Sequence, residues 1–473
     1  MKRILRGLGL WLCVVMAALI FCACAGKPGP DPSGQTETPP AQIPQEPRGP
    51  GFFSEIVLDV PQRVGQAVPV SDELLIPLAE QAALHERLVE RFFAPWRQAG
   101  ASLSAQDISW GARSLGSKQG YAENLQAYPQ DRWAHVVALQ DLPNYPSMSA
   151  PAITVRNTAL RVLPSSRPFF LNPALPGEGF PFDYFQNSAL WLGTPVLITH
   201  ISLDRAWYFA ETALASGWVR SEDVALADAG FRTQYESAAL VALRKDETSL
   251  VRAGRFLGQT HVGAIFPLHS QSSQGFTLRV PARDAAGRAS MALADLGYHQ
   301  ASLMPVPLTS RAVAEMADAM SGQLYGWGGM FENRDCSSTM RDLFLPFGIW
   351  LPRNSSQQAR SGGEMVSLEG LDASSKLHLI RTQGVPFVSL LWLPGHIGLY
   401  LGVDNRGEPL LLHNIWGVRT VLPGGGEGRA VVGRLVISTL RPGEEREDVR
   451  RNAFLDRLLG LTIVGRSPAA TAK

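Results

Sequence analysis

The chain has little cysteine, and what it has is badly placed for cross-linking. Of its four cysteines, Cys13, Cys22 and Cys24 fall in the first 24 residues, which leaves Cys336 alone in the remainder. A lone thiol cannot close an internal disulfide, and a free thiol in an oxidising compartment is a liability. Charge of one sign is missing too: 43 basic and 42 acidic side chains give a net charge of +1. No Lys/Arg run is interleaved with aromatics, so nucleic acid is excluded as a partner. No His/Cys/carboxylate spacing fits a metal site, and Gly424-Gly425-Gly426 lacks the Lys of a phosphate loop. No metal and no cofactor is therefore expected. The apolar run at residues 8–21 is too short to span a membrane comfortably.

What is present points to export. Lys2, Arg3 and Arg6 precede that apolar run, which ends in Phe21-Cys22-Ala23-Cys24-Ala25-Gly26. The ending resembles a bacterial lipobox, where a Cys after a small residue is lipidated and becomes the new N-terminus. Cys24, behind Ala23, fits better than Cys22, behind Phe21. Residues 1–24 then form a lipoprotein signal peptide, and a lipid anchor holds the protein to a membrane in the cell envelope, facing the periplasm or wall. Simple signal cleavage is the alternative, since Phe21 stands where Leu is usual. Residues 25–50, rich in Pro, Gln, Gly and Ser, form a tether.

A length of 473 residues suggests three or four domains, and 34 Pro with 45 Gly point to turns and short strands. Residues 51–151 carry helical patterning, including 71–94, where Ser71 is a candidate cap and Leu74, Leu75, Leu78 and Leu84 share a face. Residues 152–228 read as short strands broken by Pro and Gly, and 238–303 as a second such block. The block 304–440 opens with a helix, capped by Ser310 and striped by Val313, Met316, Met320 and Leu324. A helix from Cys336 and a set of antiparallel strands follow, an α+β layout. Residues 441–473 read as a charged, partly helical, peripheral tail.

The lone thiol sits in a setting that a packing cysteine would not need. Tyr325-Gly326-Trp327-Gly328-Gly329 precedes Asn333-Arg334-Asp335-Cys336-Ser337-Ser338, and Met340, Leu343, Phe344 and Phe347 then trace an apolar helix face. Asp335 is a natural cap, so the sulfur lies at a helix N-terminus, where dipole and free N–H groups favour thiolate and serve an oxyanion. A thiolate enzyme needs a base, and the base needs an orienting group. His396 opens the alternating strand Pro394-Gly395-His396-Ile397-Gly398-Leu399-Tyr400, and His413 follows on the next strand, after the turn Asp404-Asn405-Arg406-Gly407. Antiparallel neighbours bring two such rings within hydrogen-bonding reach. His261-Val262-Gly263 mimics the motif but precedes the Cys, inside a strand block.

Together these residues resemble the NlpC/P60 family of cysteine peptidases, as does Leu351-Pro352-Arg353-Asn354-Ser355 after the Cys helix. Ser338 stands where the family usually has Gly, and residues 387–394 replace its usual Gly-Asp-Leu strand entry. Residues 152–228, with Gly217-Trp218-Val219, and 238–303 resemble bacterial SH3-like barrels. The resemblance implies a papain-like catalytic domain preceded by two small SH3-like barrels and a helical N-terminal domain. It implies Cys336 as nucleophile, His396 as base and His413 as orienter. The implied substrate is the γ-D-glutamyl–L-diamino acid bond of peptidoglycan stem peptides, with a free N-terminal L-Ala. Tyr325, Asp335 and Ser337 match the residues around that amine, and Asp183 and Tyr184 of the first barrel are expected to line the cleft. An amidase or acyltransferase on the same fold, and a non-catalytic wall-binding lipoprotein, are the alternatives.

Overall fold

Short apolar stretches punctuated by Gly and Pro dominate the folded chain, and they pair as antiparallel sheets. A computed structural model describes residues 56–466, so the signal segment, the tether and Cys24 lie outside the described residues. Helix α1 (Leu78–Arg97) begins after Pro77, not at Ser71. Ser71 instead meets Ser310: its N–H donates to Ser310 Oγ at 2.7 Å and its carbonyl accepts from that hydroxyl at 3.1 Å. With Ser310 so engaged, the cap of α4 (Ser310–Ala319) is Thr309, which accepts from Ala312 N. Phe92, Phe93 and Trp96 on α1 pack against Ile153, Tyr235 and Ile265, wedging the helix between the two strand blocks. Burial of each such side chain is worth about 1.5–3 kcal/mol. Helices α2 (Gln130–Ala138) and α3 (Ala229–Glu236) flank the first block.

That block holds β1 (Ala150–Thr154), β2 (Thr158–Arg161), β3 (Gln186–Leu190), β4 (Pro195–Ile201), β5 (Trp207–Thr212), β6 (Ser216–Arg220) and β7 (Val224–Leu226). They pair antiparallel in the order β3-β2-β6-β5-β4-β1-β7. Trp218 is fully buried and meets Phe209, its cross-strand partner, edge-on at 5.4 Å. Gly217 is required beside it, because a Cβ there would stand 2.5 Å from the Arg161 carbonyl oxygen. The second barrel runs β8 (Leu240–Leu243), β9 (Thr248–Arg252), β10 (Arg255–Thr260), β11 (Ile265–Ser272), β12 (Gly275–Arg283), β13 (Ala289–Gly297) and β14 (Ala301–Leu303). Its order is β10-β9-β13-β12-β11-β8-β14.

The last block places α5 (Cys336–Phe344), α6 (Ser355–Ser361) and α7 (Ala373–Gln383) with a mixed-length sheet. Its strands are β15 (Gly363–Ser367), β16 (Ser389–Leu393), β17 (His396–Val403), β18 (Pro409–Val421), β19 (Glu427–Thr439) and β20 (Gly460–Val464), in the order β15-β20-β16-β17-β18-β19. The α+β reading holds, but the tail is not peripheral. Strand β20 lies inside the sheet, pairing Val464 with Gly363 and Ile463 with Ser389, and Leu455, Leu458 and Leu461 are fully buried. Five residues behind a charged stretch carry too little periodicity to betray an interior strand. Met340, Leu343 and Phe344 of α5 share one core with Leu390, Leu399 and Leu411, and Val64, Val68 and Ile76 from the N-terminal segment join it. At the unusual entry to β16, Phe387 takes a left-handed φ of 66°, a conformation that costs a side chain of this size about 1–3 kcal/mol.

Candidate active site

The turn before α5 is shaped by close approach to the first barrel. Gly328 and Gly329 have φ of 62° and 85°, and Cβ atoms on them would stand 2.5 Å from the Gln186 carbonyl oxygen and the Ala189 methyl. Gln186 Nε2 also donates to the Gly328 carbonyl at 3.1 Å. The two glycines thus dock the catalytic block on β3. Asp335 then caps α5: it accepts from Ser338 N at 2.8 Å while Ser338 Oγ accepts from Asp335 N at 2.9 Å. The Ser that replaces the family's Gly therefore completes a capping box.

Cys336 begins α5 and is buried, 6% exposed. The expected bias toward thiolate is not what its surroundings produce. Burial, followed by the Asp335 carboxylate, pushes the thiol up to about 12, outweighing the N–H groups of Ile397 and Ser337. Removing solvent from a sulfur anion costs more than two amide dipoles return.

His396 and His413 come together as expected. His396 Nε2 lies 2.8 Å from His413 Nδ1, and His413 Nε2 lies 3.0 Å from Ser438 Oγ. Ser438 donates to the Thr439 carbonyl at 2.7 Å, and a carbonyl only accepts. The direction of the whole chain follows. His413 donates from Nε2 to Ser438, so its neutral ring accepts at Nδ1 from His396 Nε2–H, leaving the His396 Nδ1 lone pair free. Burial keeps both rings neutral: it drives His413 well below the usual histidine value and His396 down to about 3, with Arg457 adding to the latter. Phe454, from the stretch read as tail, stands edge-on to both rings at 5.8 and 5.7 Å.

The cleft has two hollows that share Tyr325, Trp327 and Gly395. One, of about 690 Å³, is lined by Cys336, Asp335, Ser337, Arg353 and, from the first barrel, Tyr184 and Asn187. The other, of about 170 Å³, is lined by His396, Trp416, Phe454 and three arginines. Phe182 and Tyr184 of the barrel meet Trp327 at 5.2 and 6.3 Å, and Phe182 meets Trp416 at 6.1 Å, so an aromatic seam narrows the cleft. Burial holds the Tyr325 hydroxyl well above its usual value, so it remains a donor.

Asp183 does not line the cleft. It is buried, paired with Arg161 at 2.7 Å, and accepts from Phe169 N and Phe185 N. A carboxylate spent on an internal loop faces inward because its partners do, and alternation along Phe182-Asp183-Tyr184 sends its two neighbours to the seam. Arg353, in the stretch Leu351-Pro352-Arg353-Asn354-Ser355, is a site residue that the sequence resemblance does not single out. Its Nη2 lies 2.7 Å from Asp335 Oδ2, its Nη1 3.1 Å from Ser337 Oγ, and its Nε 2.8 Å from Ser188 Oγ of the barrel. Against the cost of burial, this pairing holds the Asp335 carboxyl at about 2.

A thiol at a capped helix start, facing a sheet that carries paired imidazoles, defines a papain-like peptidase fold. Comparison with known proteins gives the family. The model of the NlpC/P60 family matches residues 322–419, and that of the NLPC_P60 stabilising domain matches 12–145. The SH3 domain of SH3b1 type matches 168–220, and that of SH3b2 type 228–273. Among solved structures, an NlpC/P60 endopeptidase from Photobacterium damselae subsp. piscicida is 25% identical, with a TM-score of 0.80 over 88% of this chain and 100% of its own. An NlpC/P60 family protein from Bacillus cereus is 16% identical over 67% of this chain and 99% of its own, at a TM-score of 0.43. A search of curated proteins finds no match. The chain belongs to the NlpC/P60 family of peptidases, in the form that carries a stabilising domain and two SH3 domains ahead of the catalytic one.

Proposed function

We propose that this peptidase is a cysteine endopeptidase hydrolysing the γ-D-glutamyl–L-diamino acid bond of peptidoglycan stem peptides. The observation that carries the assignment is the directed chain from Thr439 through Ser438 and His413 to a free lone pair on His396, whose neighbour Ile397 offers its N–H to the buried Cys336. In this reading the free enzyme holds a neutral thiol and a neutral imidazole. On binding, the Cys336 proton passes to His396 Nδ1 and the sulfur attacks the γ-carbonyl carbon. N–H groups at the start of α5 receive the oxyanion. Collapse breaks the C–N bond, and the leaving amine takes the proton from His396. Water then gives a proton back to His396 and hydrolyses the thioester, freeing the thiol.

The finer reading is a preference for a free N-terminal L-Ala, its ammonium held by Asp335, Ser337 and Tyr325 beside Tyr184. Support comes from their common place in the larger hollow. Arg353 already balances Asp335, so the ammonium joins a satisfied carboxylate and the discrimination belongs at the low end for a charged contact, roughly tenfold. We also propose export with lipid attachment at Cys24. Mass spectrometry of L-Ala-γ-D-Glu-diaminopimelate and its N-acetyl form after incubation tests the assignment. Release of diaminopimelate supports it, equal cleavage of both peptides removes the amine preference, and no cleavage of either removes the activity.

A further inference from the structure

The hollow on the His396 side holds guanidinium groups from Arg419, Arg429 and Arg457, and no carboxylate lines it. One carboxylate stands near: Glu427, 3.0 Å from Arg429 and 3.6 Å from Arg419. Among the described residues, the Arg457 side chain hydrogen-bonds only the Pro394 carbonyl, at 3.1 Å, and its charge is felt at His396. Burial, then Arg419 and Arg429, depress the Arg457 guanidinium, so the group of charges works against itself. Like charges gathered against aromatic walls focus a positive field in the hollow, and a carboxylate is the ligand that such forks take best.

Its place in the chemistry follows from the proposed mechanism, on which this inference rests. His396 protonates the leaving amine, so the leaving residue lies on the His396 side, while the acyl half lies with Asp335 and Ser337. We infer that the hollow is the subsite for the leaving diamino acid and that its arginines select diaminopimelate over lysine. Diaminopimelate ends in a carbon bearing a carboxylate as well as an ammonium. Lysine ends in an ammonium alone, which three guanidinium groups repel.

The test uses three peptides: L-Ala-γ-D-Glu-meso-diaminopimelate, its form amidated at the side-chain carboxylate, and the lysine counterpart. Wild type is expected to cleave the first with a kcat/KM roughly ten- to a hundredfold above the others. Arg457→Gln and Arg429→Gln should each pull that ratio toward one, whatever they do to the absolute rates. Equal kcat/KM on acid, amide and lysine peptides, or a ratio unmoved by both variants, overturns the inference. The same peptides titrated onto Cys336→Ala protein by calorimetry report the subsite without turnover. If wild type cuts none of them the proposed activity falls, and the order of affinities still decides whether the arginines read the carboxylate.

Discussion

Replacing Arg353 by Met is expected to cost the folded state about 3–5 kcal/mol, because it strands a buried carboxylate. The Arg353 and Asp335 side chains are 9% and 10% exposed, so solvent cannot take over. The pH dependence gives the sharper signature. In wild type, Asp335 is held at about 2 against an ordinary 3.8. That depression contributes about 2–3 kcal/mol above pH 3.8, and the contribution is lost as pH falls from 3.8 to 2. Without Arg353 the largest remaining influence is burial, which raises the carboxyl against the lowering hydrogen bonds of Ser338 and should make the variant's penalty grow with rising pH. The stability gap should therefore narrow on acidification. Urea unfolding followed by Trp fluorescence, at pH 7 and stepwise toward pH 4, measures it, and Asp335→Asn added to Arg353→Met should recover part of the loss. A variant within about 1 kcal/mol of wild type at pH 7, as for a surface pair, would refute the reasoning. So would a gap that does not change with pH.

Cys336→Ala should fold normally and abolish cleavage, and His396→Ala should cost roughly 10²–10⁴-fold in kcat. His413→Ala should cost less, since the base remains; a larger loss at His413, read by peptide release, reverses the two roles. Because burial and Arg457 hold His396 far below 6.5, kcat/KM should persist through pH 5, and a decline centred near 6.5 would contradict the neutral dyad. Arg457→Gln removes a charge that lowers His396, so it should move the acid limb to higher pH. Cys24→Ser should release the protein from membranes into a soluble envelope fraction, and unchanged membrane association on fractionation counts against the anchor.

The catalytic candidates were legible because each rests on a local rule. A capping Asp, a helix stripe and an alternating strand are short-range patterns, and two strands joined by a tight turn leave little freedom in which rings meet. What escaped depends on distant partners. Ser438 acquires meaning only when β19 lies beside β18, and its hydroxyl, next to an acceptor carbonyl, carries no signal of its own. Strand β20 and Phe454 lie beyond a charged stretch that reads as solvent-facing. Asp183 was misplaced because Arg161, 22 residues earlier, is what turns it inward. The thiol was misjudged for a different reason: dipole arguments are local, whereas desolvation sums over the whole enclosure that barrel and sheet create.

That enclosure gives the barrels a role in holding the catalytic segment itself. Arg334, directly before Asp335, is fully buried. It reaches Asp342 on α5 at 2.6 Å, Asp246 of the second barrel at 2.9 Å and the Val262 carbonyl at 2.6 Å. Trp191 of the first barrel donates to the same Asp342 at 2.9 Å. The Arg334 carbonyl accepts from Asn414 Nδ2 at 2.9 Å, and Asn414 follows His413. The Arg334–Asp342 pair thus joins both barrels to the Cys336 helix, and one peptide group joins that helix's entry to the imidazole strand. His261, whose motif resembles the His396 strand, belongs to this junction: its ring lies tilted against Trp191 at 4.7 Å and meets Glu332 at 3.0 Å. A buried, multiply paired Arg is strongly destabilising to disrupt, so the relative placement of Cys336 and His413 is coupled to the docking of domains that carry neither.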